Sequence, residues 1–116
     1  MNRDRLYLRH ILDCIEKIQE YTGQVRSVFE DSVLIQDAVL RNLHTLAEST
    51  QRLSDELKEE ITSVPWTEVS GFRNIIVHDY LGVDLDQVWS VLENDLPVLR
   101  EALEPKLKEL EVADKD

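Results

Sequence analysis

The chain has 116 residues, 42% of them hydrophobic, with three Gly and three Pro, which fits one globular domain rather than a turn-rich β protein. Its formal net charge of -11 counts against a broad electrostatic grip on a polyanion, although a small local basic pocket remains compatible with it. A lone cysteine, Cys14, excludes an internal disulfide, no apolar run approaches the ~20 residues of a membrane span, and the start MNRDRLYLRH lacks the apolar core of a signal peptide, so a soluble cytoplasmic protein is expected.

Residues 4–21 repeat apolar side chains at three and four. Leu8, Ile11, Leu12, Ile15 and Ile18 form one stripe, and Arg9, Asp13, Glu16, Lys17 and Glu20 fill the other face. The pattern predicts a helix with Asp4 as N-cap and Thr22-Gly23 as its stop. His10 and Cys14 read as a flanking surface residue and a small buried hydrophobe. Residues 24–30 predict a short helical piece with Val25, Val28 and Phe29 turned inward.

A long helix is expected over 32–53. Its apolar face, from Val33 and Leu34 to Leu46, Ala47 and Leu53, is too broad for one neighbour. It should be central in a bundle or also meet a second subunit. Asp37 and Arg41 have the four-residue spacing of an intrahelical ion pair; alternatively they serve a functional site. His44 reads as a surface histidine.

Ser54-Asp55-Glu56-Leu57 has the acidic first turn of a short helix. Pro65 ends that passage, and Trp66 anchors the next helix, 66–80. Asp84 caps a further helix carrying Leu85, Val88, Trp89 and Leu92, continued by Leu96, Leu99 and Leu103. Pro97 should kink or restart it, with Asn94 or Asp95 as a cap. The charged segment 105–116 is expected to fray beyond a domain of residues 1–104.

Helix 66–80 gathers the chemistry: Arg73, Asn74, His78 and Tyr80 alternate with Ile75, Ile76 and Val77. Arg73 and His78 are five apart, so their Cβ directions differ by about 140° on an ideal helix. The long arginine can curl round, the helix can loosen near Gly82, or a second copy can complete the pocket. The set suits an RNA phosphodiester. An imidazole can take the 2′-OH proton or protonate the leaving 5′-oxygen. A guanidinium can hold the phosphate and offset charge in the pentacoordinate transition state. No Asp/Glu/His cluster has metal-site spacing, so a metal-free route to a 2′,3′-cyclic phosphate is expected, with no cofactor.

Arg73-Asn74-Ile75-Ile76-Val77-His78 followed by Tyr80 reads R-x4-H-x-Y, and it resembles the motif of HepT toxins of the HEPN (DUF86) family. Tyr21-Thr22-Gly23, Gln36-Asp37-Ala38-Val39, Arg41-Asn42-Leu43, Pro65-Trp66, Gly71-Phe72 and Gly82-Val83-Asp84 resemble that family at matching places, over about residues 4–103. Ala47-Glu48-Ser49 departs from the usual Gly-Glu-Ala. The resemblance implies an all-α, up-and-down bundle of four to five helices that forms a homodimer. It implies a composite ribonuclease site at the dimer interface, with Arg73 and His78 catalytic and Asn74 at the polar motif position; Arg41 is expected to support that site, and mRNA or tRNA is the expected substrate. It also implies an MntA-like minimal nucleotidyltransferase antitoxin that AMPylates Tyr80, as in a type VII HEPN/MNT pair. The alternative is a non-catalytic nucleotide-binding or scaffold partner of such a nucleotidyltransferase.

Overall fold

Each apolar stripe finds its neighbour in the computed structural model, which describes residues 3–77 and 84–115, with backbone alone at 73–77, 114 and 115. Helix α1 spans Arg3–Thr22, α2 Arg26–Glu30, α3 Val33–Gln51, α4 Asp55–Glu60 and α5 Trp66–Val77. Then α6 spans Leu85–Ser90, a π-helical turn covers Val91–Asp95, and α7 spans Leu96–Lys115. No strand occurs among the described residues. The all-α expectation therefore holds. The long members are α1, α3, α5 and α7, and the short α2, α4 and α6 link them. No helix among the described residues is long and apolar enough to cross a membrane.

Leu8, Ile11, Ile15 and Ile18 of α1 are all essentially inaccessible, as are Val39, Leu43 and Leu46 of α3 and Leu96, Leu99 and Leu103 of α7. Helix α3 packs against α1 on one side and α5 on another, and α1 also packs on α7. The central position expected for α3 is what its broad face requires. Burying a Leu or Ile of this kind contributes roughly 1.5–3 kcal/mol, so these stripes dominate the stability of the bundle. Thr50, also buried on α3, satisfies its hydroxyl by donating to the Leu46 carbonyl at 2.9 Å.

The ends of the helices follow local chemistry. Gly23 takes φ +59° and donates its N–H to the Gln19 carbonyl, closing α1 as the Thr-Gly pair predicts. Gln24 also has positive φ, with its N–H on the Thr22 hydroxyl at 3.1 Å. Ser32 and Ser54 cap α3 and α4 by accepting from the N–H groups of Ile35 and Leu57.

Several expectations need correction. Asp4 lies inside α1 and does not cap it. Its carboxylate instead accepts from the Ser54 N–H (2.8 Å) and hydroxyl (2.6 Å), tying α1 to the start of α4. Val25 and Val28 are 47% and 39% exposed, because a five-residue helix offers one buried position and Phe29 takes it, stacked at a tilt on Trp89. Val33 and Leu34, in the first turn of α3, also stay exposed.

Pro97 neither breaks the helix nor needs Asn94 or Asp95 as a cap. A proline ring collides with the carbonyl four residues back and offers no N–H. The π turn before it widens the backbone, sending the Leu96 N–H to the Val91 carbonyl, while φ and ψ stay helical at Ser90 and Leu96. Asn94 donates to the Ser90 hydroxyl instead. Past Glu104 the chain does not fray at once. Helix α7 continues through Pro105 to Lys115, held by buried Leu107 and by Lys106 paired with Glu60 at 2.7 Å.

Candidate active site

Helix α5 is placed from its first residue. Trp66 is half-buried, and its indole N–H donates to two carbonyls at the end of α4, Lys58 at 3.1 Å and Ile61 at 3.0 Å. Those carbonyls would otherwise lack a helical partner. One side chain thus closes α4 and fixes the start of α5. This agrees with Trp66 as an anchor in the core rather than a stacking platform. Val69 and Phe72, three apart, are buried and hold α5 against the bundle. Glu68, exposed and one turn before Phe72, lines a pocket of about 150 Å³ with Val69 and Phe72, and Asp95 reaches the same pocket from the π turn. Burial first, and the charge of Glu68 second, push the Asp95 carboxyl above its usual range.

Arg73 and Asn74 follow Phe72 directly, in the C-terminal part of α5. The helical backbone expected beneath them is present through Val77. His78 and Tyr80, with the predicted helix end at residue 80, lie outside the described residues. The structure thus positions the helix that bears Arg73 and Asn74, and the side chains of the motif lie outside what it describes.

Arg41 is placed fully. It projects from α3, the helix on which α5 packs, into a groove of about 660 Å³ between α3 and α1. His10, Asp13, Lys17 and Tyr21 reach the groove from α1, and Asp37 and Asn42 from α3. The expected Asp37–Arg41 ion pair is not among those formed by the described residues. Four-residue spacing permits such a pair but contributes only about 0.2–0.5 kcal/mol, too little to dictate two rotamers. Asn42 is half-buried and donates to the Ala38 carbonyl at 2.8 Å. Cys14 forms part of the lining and is buried, which pushes its thiol above the ordinary range. It behaves as the small hydrophobe its position in the stripe predicts. His44 stands outside the groove, its Nε2 3.6 Å from the Glu48 carboxylate, and remains a surface histidine.

Lys17 is more than part of a polar face and Tyr21 more than part of a helix stop, since both line this groove. A signal was available. Asp13, Lys17 and Tyr21 recur every four residues on α1, and Asp37, Arg41 and Thr45 do so on α3. Two polar stripes of equal pitch can face one furrow when their helices pack side by side.

Residues 11–105 match the family model described as "Ribonuclease HepT-like". A protein of Methanocaldococcus jannaschii named "Gamma-glutamylcyclotransferase and putative RNase MJ0434" is 38% identical over 96% of this chain, which spans 51% of that longer protein. "Probable ribonuclease HepT" of Thermococcus cleftensis is 32% identical, covering 81% of this chain and 86% of its own length. "Putative RNase TTE0752" of Caldanaerobacter subterraneus is 31% identical, over 95% and 96%. No solved structure matches the chain. With one family model running from α1 into α7 across the R-x4-H-x-Y segment, the chain belongs to the HepT-like ribonuclease family.

Proposed function

We propose that the chain is a metal-independent endoribonuclease and the toxin of a type VII HEPN/MNT pair, working as a homodimer with one composite site. The observation that carries this reading is the family match over residues 11–105, which includes Arg73, Asn74, His78 and Tyr80 in one unbroken span. The packing of α5 on α3 supports it, since the helix of the motif then adjoins the helix of Arg41.

Each group has a defined task. The imidazole of His78 takes the proton of a ribose 2′-OH, and the freed oxygen attacks the adjacent phosphorus. The guanidinium of Arg73 balances the charge that accumulates on the nonbridging oxygens. The P–O5′ bond breaks, and the partner motif's imidazolium supplies a proton to the departing oxygen. The products are a 2′,3′-cyclic phosphate and a 5′-hydroxyl. Asn74 and Arg41 position the strand. Two motifs facing one cleft remove the need for Arg73 and His78 to meet on one helix. Tyr80 is the target of an MntA-like nucleotidyltransferase: its phenol oxygen attacks the α-phosphate of ATP and pyrophosphate leaves. The added AMP brings bulk and negative charge to the place where substrate phosphate binds.

The test is incubation of the purified protein with tRNA and mRNA beside a His78→Ala variant. Cleavage by the parent alone is expected. Equal cleavage by both removes His78 from the mechanism. The net charge of -11 favours a second reading, a non-catalytic nucleotide-binding partner of the nucleotidyltransferase. Growth arrest that persists in an Arg73→Ala, His78→Ala double variant, with no RNA products, would select it.

A further inference from the structure

We infer that the groove between α1 and α3 is a nucleotide subsite, in which Lys17 and Arg41 hold a phosphate, Tyr21 stacks on a base, and Asp13 and Asp37 read the base edge. Its occupant is a nucleotide of the RNA strand, which rests on the ribonuclease reading above.

The charge pattern carries the inference. The chain has 24 acidic and 13 basic residues, and a cation on its surface has carboxylates within easy reach. Arg9, Arg26, Arg100 and Lys106 each make such a pair. Among the described residues Lys17 and Arg41 form no ion pair, although each has an aspartate four residues earlier; Lys58 and Lys108 form none either, and what sets Lys17 and Arg41 apart is their shared location. Both side chains line the same groove. Two cations in one furrow, without an ion pair among the described residues, provide local phosphate binding that the global charge opposes.

The rest of the lining fits a nucleotide better than a bare anion. The volume of about 660 Å³ lies in the range of small-molecule sites. Tyr21 is 40% exposed, so its ring offers a face for stacking. Carboxylates repel a second phosphate but accept hydrogen bonds from exocyclic amines such as cytosine N4. The groove therefore takes one phosphate and a base with a donor edge. Arg41, on the helix against which α5 packs, links this subsite to the motif helix.

The experiment measures binding of short fluorescent oligoribonucleotides by anisotropy, with cleavage of the same RNA followed in parallel. Lys17→Gln and Tyr21→Ala are each expected to weaken binding roughly tenfold. The Lys17 change should also lower the salt slope by about one. Lys108→Gln, an exposed lysine outside the groove, should leave binding unchanged. Oligo(C) should bind more tightly than oligo(U). Equal losses for Lys17→Gln and Lys108→Gln, or no loss for Tyr21→Ala, overturn the subsite. Free AMP should compete only in large excess, and displacement at equal concentration overturns the assignment to a strand. RNA cleaved without dependence on the groove sinks the subsite and leaves the ribonuclease standing. Groove-dependent binding without cleavage does the reverse.

Discussion

Trp66→Phe isolates the contact that sets the motif helix in place. The phenyl ring keeps most of the packing and removes the indole N–H shared by the Lys58 and Ile61 carbonyls at 3.1 and 3.0 Å. One shared donor between half-buried groups contributes about 1 kcal/mol net. The lost ring atoms add some fraction of a kcal/mol, since the site is only partly buried. A total near 1.5 kcal/mol corresponds to a fall in Tm of about 6 °C for a chain of this length. Urea unfolding should show a lower midpoint with an unchanged slope. Amide exchange should quicken first at the end of α4 and the start of α5, where the two carbonyls lose their partner. A Phe variant as stable as the parent, with unaltered exchange there, would refute the claim that this bond fixes α5.

Ser54→Ala removes both the α4 cap and the hydroxyl donated to Asp4 at 2.6 Å, and should cost about 2 kcal/mol by urea unfolding, with Ser54→Thr recovering more than half. Asp95→Asn tests the burial of a carboxyl beside Glu68. Its folded pKa is raised, so below the unfolded value both states are protonated and the residue is neutral for stability, whereas ionisation at higher pH disfavours the fold. The variant should therefore gain Tm at pH 7 and lose that gain as pH falls below the carboxylate range; an equal gain at both ends would exclude ionisation as the cause. Arg41→Ala should lower kcat/KM on RNA about tenfold with little change in Tm, because the guanidinium is exposed and forms no ion pair among the described residues.

The helices were legible wherever one residue's neighbours lie within a turn or two. The i, i+3, i+4 stripe of Leu8, Ile11, Ile15 and Ile18 fixes α1, and Ser32 and Ser54 announce α3 and α4 through their own hydroxyls. Features that depend on distant packing were not. Asp4 finds Ser54 fifty positions away, which no local rule anticipates. Pro97 signals a disturbance, but the buried Trp89, Leu92 and Leu96 decide that it becomes a wide turn and not a break. Val25 and Val28 have the right composition to be core and too short a helix to reach it. For the site, Arg73 and His78 stood out by residue type and by their likeness to a family motif. Lys17 carries no such motif, Tyr21 belongs to the family likeness only through the Tyr-Thr-Gly helix stop, and their shared groove emerges only when α1 lies beside α3.

The most direct test of the central claim, that Arg73 and His78 act on one phosphate without a metal, is the chemistry of the ends produced. RNA cut by the purified protein in excess chelator should carry 2′,3′-cyclic phosphates and 5′-hydroxyls, at the rate seen without chelator, and neither Arg73→Ala nor His78→Ala should yield them. Products with 3′-hydroxyl ends, or cleavage abolished by the chelator, would contradict it.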